Sequence, residues 1–357
     1  MFKTENQFVQ WLQEFAVSSE RGRTGPTRLK RGVKLGIGDD AALVDVRRDC
    51  ELILTTDMSI ENVHFTREFH PPQAVGHRAL ARSLSDVAAM GGVPRYALVS
   101  LALTEQTGQQ WISRFYGGLQ ALARRLGVRL VGGDTAVVPG GTFIDVLVAG
   151  EVPRGKALRR SGAHAGDLIF VSGQLGYSAL GLRVLRSRLP KAPPPAPKAA
   201  GLYRPAWARV PAPTARKAVQ AHLYPEPQCA LGRFLSSRGL ASALMDLSDG
   251  LSTDLDRLCT ASAVGARIWA VKVPGPALPE AADSLQLALH GGEDYQLLFT
   301  VPQRAASRLP AGFQGQRLYP IGEVEAGSGV DLVTPEGKVQ TLGPGGWDHF
   351  RSRLGRL

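Results

Sequence analysis

The chain has 357 residues, 44% of them hydrophobic, with 42 Lys and Arg against 31 Asp and Glu and a formal charge of +11. That length buries a large core and points to two domains. Three cysteines, Cys50, Cys229 and Cys259, stand far apart without a CxxC pair, which excludes a disulfide framework and a cysteine zinc site and fits a reducing cytoplasm.

In chain order, "MFKTENQFVQWLQEF" predicts an amphipathic helix through Phe8, Leu12 and Phe15; charge from its start argues against a signal peptide. Then "ELILTTD", "AVGHRALARSLSDVAAMGG", "RYALVSLALT", "WISRFYGGLQALARRLG", "VRLVGGDT" and "TFIDVLVAGEV" alternate strand-like and helix-like patterns, the mark of a mixed α/β domain. Gly91 and Gly127 mark helix ends. Near residue 155 the pattern restarts, with "DLIFVSG", "GARIWAVKV" and "YQLLFTV" as strands and "LGYSALGLRVLRSRL" as a helix. The expected domains are therefore 1–154 and 155–357. Within the second, residues 190–213 hold eight of the 24 prolines and predict an exposed, partly extended insertion without helix or central strand. No apolar run reaches the roughly 18 residues of a membrane span. The basic residues are scattered, with no zinc finger or aromatic ribonucleoprotein motif, so the charge reads as a solvated face or an attraction for small anions rather than a nucleic-acid surface.

Against this basic background, aspartates gather where apolar runs stop: Asp39 and Asp40 in "LGIGDDAA", Asp57 in "LILTTD", Asp134 in "RLVGGD", and Asp246 and Asp249 in "DLSDGLSTD". Asp86 falls in the helical "SLSDVAAMGG". Each has a local explanation as a helix cap, a turn residue or an i−4 partner of Arg82. Converging carboxylates repel unless a cation sits among them, and hard oxygen ligands without His or Cys select magnesium or calcium. A phosphate cradle is expected nearby. "GEVPRGKA" fails as a Walker A loop, because Ala157 replaces the metal-binding hydroxyl and Pro153 lacks an amide. "GIGDD" and "GGDT", where glycine adjoins acid, fit better.

Taken together, "GIGDDAA", "LTTDMSIENVHF", "SLSDVAAMGG", "VGGDT", "ALRRSGA", "DLSDGLSTDL", "GGEDYQLLFT" and "GWDHF" resemble the thiamine-monophosphate kinases, in order over about residues 33 to 350. Relatives of that family include aminoimidazole ribonucleotide synthetase, selenophosphate synthetase and a hydrogenase-maturation protein. The resemblance implies a two-domain aminoimidazole ribonucleotide synthetase-like α/β (α+β) fold, with mixed sheets covered by helices. It also implies a homodimer built on the N-terminal domain, and ATP meeting thiamine monophosphate with several magnesium ions in the cleft between domains, as the last step of thiamine diphosphate synthesis. It places metal ligands at Asp40, Thr55, Thr56, Asp57, Asp86, Asp134, Asp246 and Asp249, with Asp57, Asp86, Asp134 and Asp249 carrying the chemistry. Nucleotide contacts fall at Tyr116, Gly133, Asp134, Arg160 and Ser248, and contacts to the thiamine moiety at His64, Glu293 and Trp347. The insertion and Glu61 find no counterpart in the pattern.

The chemistry agrees with this assignment. A phosphate monoester with a second pKa of about 6 is already a nucleophile at neutral pH, which matches the lack of a Ser/His/Asp or Cys/His signature. What the transfer needs is charge neutralisation, by metal on carboxylates and an arginine such as Arg160. The alternatives are another ATP-dependent enzyme of the same superfamily, or a non-catalytic protein that binds nucleotide or nucleic acid through its basic surface.

Overall fold

A computed structural model describes residues 5–20, 32–37, 41–188 and 210–348, with side chains of the first helix described from Gln7 to Phe15. These residues fall into two compact units. The first takes those up to Arg159 together with Pro227–Gly239, and the second takes those of Arg160–Glu226 and from Leu240 onward.

In the first unit, helix α1 (Glu5–Glu20) precedes a small ribbon of β1 (Val33–Leu35) and β2 (Leu43–Val44). There follow β3 (Cys50–Ile60), α2 (Pro72–Ala89), β4 (Val93–Leu103), α3 (Gln109–Leu126), β5 (Arg129–Val137) and β6 (Phe143–Pro153). The four long strands form one sheet in the order β3-β6-β4-β5, antiparallel except for the β4–β5 pair. Helices α2 and α3 cover one face, where Ala79, Leu80, Leu84, Val87, Phe115 and Leu119 are fully enclosed against alternate strand residues such as Val99, Leu101, Ile144 and Val146. Period-two alternation leaves Leu52, Leu54 and Met58 on the opposite face, 47%, 62% and 53% exposed.

The strands outrun their apolar stretches. Sequence pattern stops them at Asp57 and Asp134, yet β3 pairs with β6 as far as Ile60↔Phe143, and β5 pairs with β4 as far as Val137. The ladder is made by backbone groups, so a polar residue need not end it: Asp57 finds Arg82 on the helix-covered face, and Asp134 is exposed on the other.

The second unit comprises β7 (Leu168–Ser172), α4 (Tyr177–Ser187), α5 (Ala212–Leu223), β8 (Ala243–Asp246), α7 (Leu251–Ser262), β9 (Gly265–Trp269), α8 (Ala281–His290), β10 (Leu297–Val301), α9 (Gln303–Ala306), β11 (Gly312–Phe313), β12 (Gln316–Glu325), β13 (Gly329–Val333) and β14 (Val339–Thr341). Its sheet runs β14-β13-β9-β12-β7-β10-β8, with β11 on β12. Leu251, Leu255 and Leu258 of α7 and Leu289 of α8 pack with Ile169, Met245, Ile268 and Leu298 of the strands in one core. A separate cluster joins Tyr177, Leu180 and Val184 of α4 to Ala218 of α5 and Leu287 of α8.

Two features qualify the sequence expectations. Helix α6 (Cys229–Arg238) belongs with the first unit, where the Cys229 thiol points to the Leu84 carbonyl of α2 at 3.5 Å. Most of the proline-rich insertion lies outside the described residues, but its last residues open α5, with Pro213 in the first turn, where a missing N–H costs nothing.

Candidate functional site

The first unit gathers one set of the expected residues where β3 faces α2. Thr55 Oγ1 donates to Asp86 Oδ2 at 2.5 Å, and Arg82 Nη2 donates to Asp57 Oδ1 at 3.4 Å. Burial pushes the Asp57 carboxyl up to about 6 against the pull of Arg82, and Asp86 and Asp145 raise it further. His64 accepts the Ile60 N–H on Nδ1 at 3.0 Å, and its ring lines a small pocket with Ser59, Phe65, Val75, Arg78 and Arg82. His64 and the Asp57–Arg82 pair therefore share one locality.

Alternation along β3 sends Thr56 to the other face, where it donates to Asp145 Oδ1 at 2.7 Å. Ladder register sets Asp134 opposite Ser100, and Ser100 opposite Asp145, a row across three strands. Asp145 was not among the sequence candidates. Its signal was an acid inside the alternating run "TFIDVLV". Asp134 is exposed and accepts the Thr135 N–H on Oδ1 at 2.8 Å. Gly133 has a packing reason of its own: at φ +155° a Cβ would fall 2.0 Å from the Val99 carbonyl oxygen, so a side chain there would push β5 off β4.

Tyr116 stands apart from these acids. It is 1% exposed in a cluster with Phe8, Trp11 and Phe15 of α1 and Phe115 of α3, and burial raises its phenol pKa. Glu61, unplaced by sequence, pairs with Arg67 at 3.1 Å. Arg67 also donates to Thr107 and Thr142 and lies over the Trp111 ring, so this group ties the segment after β3 to its neighbours. Asp40 lies outside the described residues.

In the second unit three separated motifs meet. The segment after β8, "DLSDG", receives the Glu293 N–H on the Ser248 carbonyl at 2.7 Å, the Tyr295 N–H on the Leu247 carbonyl at 2.9 Å, and the Trp347 N–H on the Asp249 carbonyl at 3.0 Å. Thus "DLSDGL", "GGEDY" and "GGWD" form one junction. Gly346 is required there, because a Cβ would lie 1.9 Å from the Asp249 carbonyl oxygen. The first turn of α7 braces it: Ser252 Oγ accepts the Gly345 N–H, Thr253 Oγ1 accepts the Gly346 N–H, and Asp254 Oδ2 accepts the N–H groups of Asp249 and Gly250 at 3.0 and 3.1 Å. Asp254 is fully buried, and Arg257 bridges its carboxylate and that of Asp249. Burial, with the Asp249 charge adding to it, lifts the Asp254 carboxyl to about 7. Asp294 is likewise lifted to about 7 by burial, although the Gly176 and Ser178 N–H groups at the start of α4 donate to it. Both acids escaped sequence reasoning, since a cap and a catalytic ligand look alike in sequence.

Asp246 ends β8 and is 4% exposed. Trp347 is 38% exposed, and Glu293 and Tyr295 hold left-handed backbones at φ +58° and +48°, a strain that clusters at functional loops. Arg160 is exposed, its carbonyl accepting the Ser262 hydroxyl.

Among the described residues no three His, Cys, Asp or Glu side chains form a cluster able to hold an ion by themselves. The donors present nevertheless suit magnesium, which is held by one or two carboxylates with phosphates and water completing its shell. Asp57 and Asp86 offer such a pair, all oxygen, with Asp57 largely desolvated and close enough to Asp86 to feel its charge.

Residues 38–152 match the AIR synthase related protein N-terminal domain and residues 165–334 the corresponding C-terminal domain. A mixed α/β chain of this two-domain class is what the strands, helices and site describe. Within the class, the chain is 37% identical over 326 residues to the thiamine-monophosphate kinase of Salmonella typhimurium, covering 89% of this chain and 92% of that one. The crystal structure of thiamine-monophosphate kinase from Stenotrophomonas maltophilia K279a superposes with a TM-score of 0.73 at 33% identity, covering 90% and 95% of the two chains. The structure of AaThiL complexed with AMPPCP and TMP superposes with a TM-score of 0.69 at 30% identity, covering 98% and 100%. This chain belongs to the thiamine-monophosphate kinase family.

Proposed function

We propose that this protein transfers the γ-phosphoryl group of ATP to thiamine monophosphate, yielding thiamine diphosphate and ADP. The observation that carries the reading is the junction of "DLSDGL", "GGEDY" and "GGWD", three stretches of the family resemblance held together by backbone hydrogen bonds in one place. The acceptor phosphate is ionised at neutral pH and needs no base. The side chains bind, orient and neutralise.

Thr55 and Asp57 of β3 with Asp86 of α2, Thr56 of β3 and Asp134 of β5 on the other face of that sheet, Asp246 at the end of β8 with Asp249 just after it, and Asp40 are the residues that would hold magnesium. Bound there, the metal supplies charge neutralisation between two polyanions and along the in-line transfer. Gly133, Asp134, Arg160 and Ser248 serve the nucleotide; Tyr116, expected with them, is instead enclosed among the rings of Phe8, Trp11, Phe15 and Phe115. Glu293 and Trp347 suit the cationic thiazolium, a carboxylate and an indole face both open to solvent. His64 serves the same substrate.

The N-terminal domain, 1–154, carries Asp57, Asp86, Gly133 and Asp134 and forms a homodimer through the sheet face on which Leu52, Leu54 and Met58 are exposed. The C-terminal domain, 155–357, carries Arg160, Asp246, Ser248, Asp249, Glu293 and Trp347. Among the described residues no helix is long and apolar enough to cross a membrane, and the free cysteines fit a cytoplasmic enzyme.

Incubation with ATP and magnesium, with and without thiamine monophosphate, tests the reading. Thiamine diphosphate and ADP, both abolished by EDTA, are expected. Folded, nucleotide-binding protein that leaves thiamine monophosphate untouched would overturn it.

A further inference from the structure

Helix α5 follows the proline-rich stretch and carries none of the motifs that mark the family. Near its end, His222 is 1% exposed, enclosed beside the cluster of Tyr177, Leu180, Val184, Ala218 and Leu287. Its Nδ1 lies 3.0 Å from Ser178 Oγ on α4 and 3.8 Å from Glu293 Oε2. An imidazole in so apolar a setting is costly without a polar partner; Ser178 supplies a hydrogen bond to Nδ1, and the Glu293 carboxylate lies at ion-pair distance from the same nitrogen.

Glu293 sits on a clamped loop. Its own N–H is given to Ser248, and the next residue, Asp294, accepts the N–H groups of Gly176 and Ser178. Its backbone is strained at φ +58°, while its side chain remains 29% exposed. A carboxylate on such a loop, with a buried imidazole behind it and solvent in front, is a group held in one orientation.

We infer that His222, steadied by Ser178, is a positioning residue that aims the Glu293 carboxylate at the thiamine moiety, a step that rests on the substrate reading of Glu293 given above. Specificity for the acceptor then depends in part on α5, an element that is silent in the motif pattern.

The test compares His222→Leu, which fills the space without a polar atom, with His222→Asn, whose amide replaces Nδ1. His222→Leu is expected to raise KM for thiamine monophosphate about tenfold, leaving kcat and the KM for ATP within about twofold. His222→Asn restores it to within about threefold. In a Glu293→Gln background, His222→Leu adds nothing further, because the histidine acts through that carboxylate. Equal rises in both KM values, or an additive effect on Glu293→Gln, would overturn the inference. Should His222→Leu fail to fold, Ser178→Ala is read by the same criteria. A crystal structure of the variant separates this inference from the substrate reading: an unmoved Glu293 carboxylate overturns the positioning role and a displaced one supports it, whatever the wild-type protein phosphorylates. Wild-type inactivity on thiamine monophosphate overturns only the substrate.

Discussion

Replacing Asp57 with asparagine should make the metal-free protein more stable while removing its activity. The carboxyl has a pKa of about 6 in place of 3.8, chiefly through burial. Here the folded value lies above the unfolded one, so the folded state holds the proton more tightly. The resulting stability is present below about pH 4, declines as pH rises through about 6, and is gone at pH 7.5. A gap of about 2 units at about 1.4 kcal/mol each corresponds to about 3 kcal/mol of strain at neutral pH. The amide that replaces the acid carries no charge at any pH, though it weakens the contact with Arg82, which leaves an expected gain of about 2 kcal/mol, or a rise of about 4 °C in Tm. Thermal unfolding in EDTA at pH 7.5 and pH 4 measures it, alongside turnover with ATP, magnesium and thiamine monophosphate. Most of the gain should disappear at pH 4. A variant less stable than wild type at pH 7.5, or equally stabilised at both pH values, refutes the argument from burial; near wild-type turnover refutes the metal role.

Asp254→Ala removes the acceptor of two backbone N–H groups and the buried partner of Arg257; a loss of about 2–4 kcal/mol is expected in denaturant unfolding, and less than about 1 kcal/mol would show that the junction braces itself without it. Trp347→Ala should raise KM for thiamine monophosphate by about tenfold and that for ATP by far less; equal rises would remove its substrate role. Leu54→Asp, on the 62% exposed position of the open sheet face, should convert a dimer to a monomer in size-exclusion chromatography with light scattering. A wild-type monomer, or an undisturbed dimer of the variant, would exclude that face as the interface.

Helix α3 shows what the sequence makes legible. Its periodic Ile112, Phe115, Leu119 and Leu122 announce a buried stripe, and all four are enclosed as that stripe requires. Gly127 ends it in the left-handed conformation, φ +75°, the usual reason for a glycine after a last turn. Such features are local, set by contacts within a few residues. Tyr116 lies on the same stripe, yet its ring neighbours include Phe8 and Trp11 of α1, far away in sequence, and a helical period does not indicate which element will cover a buried face.

The acids are harder for the same reason. An aspartate after an apolar run ends a strand, caps a helix or stands in an open ladder, and the choice depends on a neighbour fixed by register. Asp57 and Thr56 are adjacent in sequence but point to opposite faces, one to Arg82 and the other to Asp145, because β3 continues to Ile60 against β6. Asp249 and Asp254 share one arginine because Arg257 lies one helical turn after Asp254, whose carboxylate holds the N–H groups of Asp249 and Gly250 ahead of α7. The motif "DLSDGLSTD" therefore combines two physical roles in one stretch. Asp254 is buried and holds the backbone, so that Asp249, partly exposed and paired with a half-exposed Arg257, can be presented in a fixed place. A charge removed from water is tolerable where it orders a loop. The acids that gather there, in a chain whose net charge is +11, thus build a braced, carboxylate-bearing loop.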